Sequence, residues 1–131
     1  MSLGKSATPL GKVRGTGSAH AGGEHWLGER VTSIALLLLG TWLAASLLLL
    51  PDLSFRTVNE WLRAPSGAIP MGLFVFIGFV HGQDGLKVVV DDYVHDKGNR
   101  FALNVALLFI AVGAAATALF ALARIALGVA A

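Results

Sequence analysis

Residues Val31–Leu50 read VTSIALLLLGTWLAASLLLL, a run of twenty residues that contains no Lys, Arg, Asp or Glu. A helix rises about 1.5 Å per residue, so twenty residues cover the roughly 30 Å hydrocarbon core of a bilayer. Two further runs without charge follow, at Ala64–Gln83 and Phe101–Ala123. The sequence therefore predicts an all-α membrane protein with three transmembrane helices, at about residues 31–50, 67–91 and 101–126.

The composition agrees with this prediction. Of the 131 residues, 55% are hydrophobic and 14% are charged, whereas about 25% of an ordinary soluble domain is charged. We expect residues 1–29 to form a flexible arm and residues 30–131 to form the membrane domain, which leaves no room for a separate soluble catalytic domain. The absence of cysteine excludes disulfides, thiolate-bound iron–sulfur clusters and covalently attached c-type haem. The net charge of +2 is too small to indicate nucleic acid.

The basic residues are distributed unevenly between the two sides of the predicted spans. Seven lie in the tail, at the entry of the first span and around the second connection, against three in the first connection and near the C-terminus. The positive-inside rule therefore predicts a cytoplasmic N-terminus and 91–100 loop, and a C-terminus on the outer side of the membrane. The first connection, residues 51–65, places Phe55, Val58 and Leu62 on one helical face, which predicts a short helix in the membrane interface.

The second predicted helix carries ionisable groups at membrane depth, where such groups are functional candidates by default. His81 lies near its midpoint, and a neutral imidazole there needs partners for one donor and one acceptor nitrogen. A hydroxyl or carbonyl on a neighbouring helix and a metal ion satisfy that need equally well. Gly78, Gly82 and Gly85 leave a strip without side chains beside the imidazole. Such a strip suits a flat ligand such as haem, and it also suits close helix packing.

The same helix ends in the run DDY, residues 91–93. Asp92 follows His81 by eleven residues, which is within about 20° of three full turns, so the two side chains share a face and are separated by roughly 16 Å along the axis. A carboxylate beside the phenol of Tyr93 suits a polar redox head group that receives protons from water. The alternative is an aromatic-belt tyrosine next to a helix-end acid.

Three further charged positions have simpler interpretations. Asp84 and Lys87 stand three residues apart, and we expect them to form an ion pair rather than to serve a proton relay. Arg30 stands at the cytoplasmic entry of the first span. It is either an ordinary positive-inside charge or the partner of an anionic group near the membrane boundary.

The residues HGQDGLKVVVDDYVH, His81–His95, resemble the second-helix segment of the hydrophobic membrane anchor subunit of succinate dehydrogenase, the smaller of its two membrane chains. The resemblance rests on a histidine, a glycine four residues later, and an Asp-Tyr pair whose Asp follows the histidine by eleven. The stretch EHWLGERVTSIA, Glu24–Ala35, is similar to the family's W-x-x-x-R-x-T-[AS] entry to its first span. Gln83 and Asp84 depart from the family pattern, in which basic or apolar residues often stand there.

This resemblance implies a subunit of a four-chain succinate:ubiquinone oxidoreductase in the bacterial inner membrane. Its partners would be a flavoprotein subunit, an iron–sulfur subunit and a second cytochrome b-type anchor subunit, with membrane lipid around the spans. The cofactor would be a haem b shared with the second anchor subunit, and ubiquinone would be the substrate. The chain would oxidise nothing by itself.

The resemblance also assigns roles to residues. His81 would be one axial ligand of the haem iron, with the second histidine coming from the other anchor chain. Arg30 would neutralise a haem propionate. Tyr93 would hydrogen-bond a quinone carbonyl, and Asp92 would support the polar or proton-carrying network of that site. The glycines that would border the haem are Gly78, Gly82 and Gly85.

Two other functions are compatible with the residues. One is a structural anchor that binds no haem, in which the glycine strip serves helix packing. The other is a small proton-conducting subunit in which Asp84, His81 and Asp92 form a relay.

Overall fold

The computed structural model describes residue 9 and residues 22–128. This part of the chain contains no strand and four helices: α1 (Gly22–Leu49), α2 (Phe55–Arg63), α3 (Pro65–Tyr93) and α4 (Lys97–Ala126). Three of them, α1, α3 and α4, are long and apolar enough to cross a membrane. The predicted fold class, an all-α protein with three transmembrane helices, is confirmed.

The helices extend beyond the charge-free runs. α1 begins at Gly22, nine residues before Val31, and α3 continues to Tyr93. A helix needs only its own backbone hydrogen bonds, so polar residues near its ends do not stop it. Of the predicted flexible arm, residues 1–8 and 10–21 lie outside the described residues, and residues 22–29 belong to α1.

The start of α2 is fixed by side-chain hydrogen bonds. The hydroxyl of Ser54 caps the helix by accepting from the backbone N–H of Thr57. One carboxylate oxygen of Asp52 accepts from the backbone N–H of Ser54 at 2.9 Å and from the hydroxyl of Thr57 at 2.6 Å. Hydrogen bonding to Ser54 and then to Thr57 lowers the pKa of Asp52 to about 2. The Asp52 carboxylate that supports this cap is therefore ionised at neutral pH.

Trp61 attaches α2 to the membrane spans. Its ring stacks on that of Trp42 from α1, with centroids 5.6 Å apart and ring planes inclined by 26°. Trp61 also meets Gly67 of α3, the one buried residue in the described part of the chain. A Cβ at Gly67 would overlap the carbonyl oxygen of Trp61 and lie 3.2 Å from its ring. The sharp passage from α2 into α3 therefore requires glycine at this position.

The three spans lie side by side, with α3 in the middle. α3 packs against both α1 and α4, whereas α1 and α4 do not pack against each other. Gly72 of α3 meets Leu119 and Leu122 of α4, while Phe74, two residues later and about 160° away around the helix, meets Gly40 of α1.

This arrangement leaves large apolar faces uncovered. In the described part of the chain no hydrophobic side chain is buried, and Leu48 and Leu49 are 85% and 84% exposed. In a membrane protein such faces are covered by lipid or by helices of other chains. The fold is thus suited to a larger helical bundle.

Candidate functional site

His81 lies where α3 contacts α1. Its Nδ1 is 2.9 Å from Oγ1 of Thr32, and that hydroxyl also lies 2.9 Å and 3.1 Å from the carbonyl oxygens of Gly28 and Glu29. A hydroxyl has one proton, and a helical threonine commonly donates it to a carbonyl one turn earlier. In that arrangement Nδ1 carries the imidazole proton and donates it to Oγ1. The other ring nitrogen, Nε2, then keeps its unshared electron pair.

Thr32 is the functional candidate that the sequence does not single out. It lies 49 residues from His81, and its hydroxyl is one of several in α1. The hydroxyl of Thr41 donates to the carbonyl of Leu37 at 2.7 Å. The entry motif includes Thr32, but only the packing of α1 against α3 gives it a partner.

The glycine strip on α3 is open. No atom of the structure lies within 4 Å of the position a Cβ would take at Gly82 or Gly85, and at Gly78 the nearest is a methyl carbon of Leu36 at 3.9 Å. Gly78 and Gly82 line a cavity of about 320 Å³ between α3 and α4. Packing within this chain therefore does not require glycine at Gly82 or Gly85, and the strip has room for a group from outside the chain.

The two aspartates at the end of α3 have different surroundings. Asp91 accepts a hydrogen bond from Nδ2 of Asn104 at 2.9 Å, and Nε of Arg100 lies 3.9 Å from the same carboxylate oxygen. These groups on α4 compensate an acid that the helix dipole disfavours. Asp92 is exposed and Tyr93 is 79% exposed. Asp91 therefore joins α3 to α4, while Asp92 and Tyr93 present their polar groups at the surface.

The predicted ion pair between Asp84 and Lys87 is wrong. Within residues 22–128 the structure has no ion pair between these two side chains. The i,i+3 spacing permits such a pair but does not enforce it, because the direction of each side chain also depends on the neighbouring helices. Lys87 instead lines a cavity beside α4.

Arg30 is placed away from His81. Its guanidinium carbon lies 4.9 Å from the ring centroid of Trp26, a cation–π contact along α1. Arg30 precedes Thr32 by two residues, which puts it about 160° around the helix from the residue that contacts His81. The structure therefore does not bring Arg30 and His81 together within this chain.

The side chains that could coordinate a metal limit which kind of metal group fits this site. In the described residues no group of three or more His, Asp or Glu side chains could hold a metal ion. His81 alone cannot complete a coordination sphere. One imidazole with a free Nε2, beside an open and flat strip, suits a haem iron that takes its second axial ligand from another chain.

Comparison with known proteins gives a consistent result. Over residues 4–121 the chain matches the family described as succinate dehydrogenase/fumarate reductase transmembrane subunit. The succinate dehydrogenase hydrophobic membrane anchor subunit of Paracoccus denitrificans is 31% identical over 121 residues, which cover 92% of this chain and 93% of that protein. The subunit of the same name from Rickettsia bellii is 31% identical over 101 residues, covering 77% of this chain and 81% of that protein. The one from Rickettsia conorii is 32% identical over 102 residues, covering 76% and 81%.

Proposed function

Because the chain belongs to the family of transmembrane subunits of succinate dehydrogenase and fumarate reductase, we propose that it forms part of the haem b and ubiquinone sites of a succinate:ubiquinone oxidoreductase. It is a multi-pass membrane anchor and hence a subunit of an enzyme complex. The observation that carries the proposal is the contact between Nδ1 of His81 and the hydroxyl of Thr32, because it leaves Nε2 available as a metal ligand.

His81 is the proposed axial ligand in this chain. Metal-binding histidines usually donate the N–H of their second ring nitrogen to a neighbouring acceptor, which fixes the tautomer and the orientation of the ring. The hydroxyl of Thr32 is that acceptor when Nδ1 carries the imidazole proton. When bound, the haem supplies a one-electron redox centre inside the membrane. The second axial histidine would come from the second anchor subunit, which would cover the glycine strip of α3.

We extend the proposal to Arg30 as the partner of a haem propionate. Its guanidinium is exposed and lies at the predicted cytoplasmic end of α1. To reach a propionate it must leave the ring of Trp26, and a charged carboxylate is the stronger partner in a partly desolvated site.

Tyr93 and Asp92 are the proposed quinone-site residues. The phenol of Tyr93 is 79% exposed at the end of α3 and has its hydroxyl free to donate to a carbonyl of the quinone ring. A fixed donor at that oxygen stabilises negative charge as it develops during reduction. Asp92 stands next to it at the water-facing boundary, where a carboxylate can take protons from water and pass them on.

The remaining partners and the location follow from the same proposal. A flavoprotein subunit would oxidise succinate, and an iron–sulfur subunit would carry the electrons to the quinone site. The chain would lie in the bacterial inner membrane with its N-terminus in the cytoplasm and its C-terminus in the periplasm. The seven-to-three distribution of basic residues supports this orientation.

The test is the reduced-minus-oxidised visible spectrum of the purified complex, with and without the change His81→Ala. We expect a sharp b-type band from the parent complex and its loss or strong weakening in the variant. The variant should still insert and assemble, because the apolar spans are intact. Succinate oxidation with a dye that takes electrons from the soluble subunits reports that assembly.

Two results would contradict the haem assignment. A parent complex without a b-type band would favour the haem-free structural anchor. An unchanged band in an assembled His81→Ala complex would mean that a residue other than His81 is the axial ligand.

A further inference from the structure

A basic cavity lies between α3 and α4 at the end of the spans that we place in the cytoplasm. It has a volume of about 490 Å³, and three of the side chains that line it are cationic: Lys87 from α3, and Lys97 and Arg100 from α4. Arg100 is partly compensated by Asp91, 3.9 Å away, while within the described part of the chain the two lysines form no ion pair. The cavity therefore has an excess of about two positive charges, close to the membrane boundary.

This cavity continues into an apolar groove. A second cavity of about 300 Å³ shares Gln83 and Leu108 with the first and runs deeper between the same two helices. Apart from Gln83, its lining is entirely apolar and includes Val80, Ala115 and Leu119. From Leu108 to Leu119 the groove follows α4 for roughly 16 Å, which is about half of the 30 Å hydrocarbon core. The groove thus has the depth of one lipid leaflet.

The groove faces away from the strip assigned to the haem. Lys87 follows Gly78 by nine residues, which places it about 180° around α3 from that glycine. Val80, deeper in the groove, follows Gly78 by two residues and therefore lies about 160° around α3 from it. Phe79, Gln83 and Ala111 line both the groove and the cavity beside the glycine strip, so they form the boundary between the two faces. A second anchor chain on the glycine strip therefore leaves Lys87 and Val80 open on the other face.

We propose that this combined cavity binds an anionic glycerophospholipid of the cytoplasmic leaflet. The phosphodiester lies between Lys87 and Lys97, where its single negative charge meets two cations without an acidic partner. One acyl chain lies in the apolar groove against the small side chain of Ala115. A basic pocket between membrane helices on the cytoplasmic side is a form of site that recognises such head groups. The proposal does not depend on the haem assignment.

The head-group part is tested with spin-labelled phosphatidylglycerol and spin-labelled phosphatidylcholine added to the purified complex in neutral detergent. Electron paramagnetic resonance measures the immobilised fraction of each lipid. We expect the complex to prefer phosphatidylglycerol, and Lys87→Gln with Lys97→Gln to reduce that preference by about 5- to 30-fold. The control, Arg56→Gln with Arg63→Gln, removes the same charge from α2 and should leave the preference unchanged. Equal preference in parent and lysine variant would overturn the proposal.

The acyl-chain part is tested by filling the groove. Ala115→Trp should release the immobilised phosphatidylglycerol. Ala121→Trp, at an exposed position on α4 outside both cavities, should retain it. If Ala115→Trp retains the immobilised phosphatidylglycerol as fully as the parent does, no acyl chain lies in the groove and the lipid assignment fails. A photo-reactive residue at Val80 that cross-links to a partner subunit instead of lipid would likewise overturn it, because protein then fills the groove.

Discussion

At the scale of single residues, the contact between the hydroxyl of Thr32 and His81 underlies the role proposed for His81. An imidazole near the middle of a membrane span has two nitrogens to satisfy, and the contact at 2.9 Å accounts for only Nδ1. Leaving Nε2 without a partner in an apolar surrounding is costly unless a ligand takes it up. The geometry of this pair therefore supports the proposal that His81 binds a metal group.

The change Thr32→Val removes this hydroxyl and keeps the shape of the side chain. Loss of a group that orients a metal ligand typically weakens metal binding by about 10- to 100-fold, so we expect easier loss of haem during washing and a shifted reduction potential. The measurement is the haem content and redox titration of the assembled complex.

The matched control for this prediction is Thr41→Val. Its hydroxyl also donates to a carbonyl in α1, at 2.7 Å, but it has no contact with His81. Thr32→Ser should restore the behaviour of the parent. If Thr32→Val and Thr41→Val have the same small effect, Thr32 does not position His81.

Tyr93→Phe tests the quinone assignment by removing one hydrogen-bond donor while keeping the ring. A hydrogen bond to a polar ligand in a partly desolvated site contributes about 1–3 kcal/mol, so quinone reduction should fall by roughly 5- to 100-fold. Succinate oxidation with a dye that accepts electrons from the soluble subunits should be unchanged. The two rates are compared in one haem-containing preparation.

Each outcome for Tyr93→Phe has a distinct meaning. If quinone reduction equals that of the parent, Tyr93 is an interfacial anchor and the quinone lies elsewhere. A parallel fall of both rates indicates damage to assembly, and the quinone assignment is then tested on Asp92→Asn. That variant should make quinone turnover more dependent on pH if the carboxylate carries protons.

At the scale of elements, α3 presents a different chemistry on each side. It contacts α1 through His81, is open along its glycines, and turns its basic residue Lys87 toward the far side beside α4. The open side has no packing partner inside the chain at Gly82 or Gly85. The helix can therefore serve a neighbouring subunit and lipid at the same time.

Gly82→Leu should displace the haem, because the added side chain would occupy the strip next to His81. The variant is expected to keep the packing of this chain, since nothing lies within 4 Å of a Cβ at Gly82. The control is Gly113→Leu on α4, where the structure has equal space and we propose no ligand. Haem content, measured from the visible spectrum, should fall only in Gly82→Leu. Full occupancy in both variants would mean that the haem does not lie on this strip.

The whole molecule is a row of three spans that has no buried hydrophobic side chain among its described residues. We therefore expect lipid and other chains to cover its apolar faces, in keeping with a transmembrane subunit of an enzyme complex. The α2 helix, with its stacked Trp61 and its capped start, connects α1 to α3 at one end of the spans. The loop between α3 and α4 lies at the opposite end of α3.

The orientation of the row can be measured because the chain has no cysteine of its own. We expect a single cysteine at Asn99 to react with a membrane-impermeant reagent only after the cells are opened. A cysteine at Asn59, in α2, should react in cells whose outer membrane has been made permeable while the inner membrane is intact. The reason is the excess of basic residues on the Asn99 side. Labelling of Asn99 in intact cells would reverse the proposed topology.

The sequence by itself determined the spans and the candidate residues of α3. Hydropathy is a local property of a run of residues, so Val31–Leu50 predicts a membrane helix without knowledge of its neighbours. The periodicity of a helix places His81 and Asp92 on one face for the same reason. The family resemblance added roles to these residues, and membership in the family is confirmed.

Only the tertiary structure decided which side chains meet. Thr32 and His81 are 49 residues apart, and Asn104 reaches Asp91 across two helices. Such contacts depend on the rotation and register of one helix against another, which the hydropathy of each helix leaves undetermined. The same reason explains the error at Lys87: local spacing predicted a partner on its own helix, but the packing of α4 beside α3 places this lysine at a shared cavity instead.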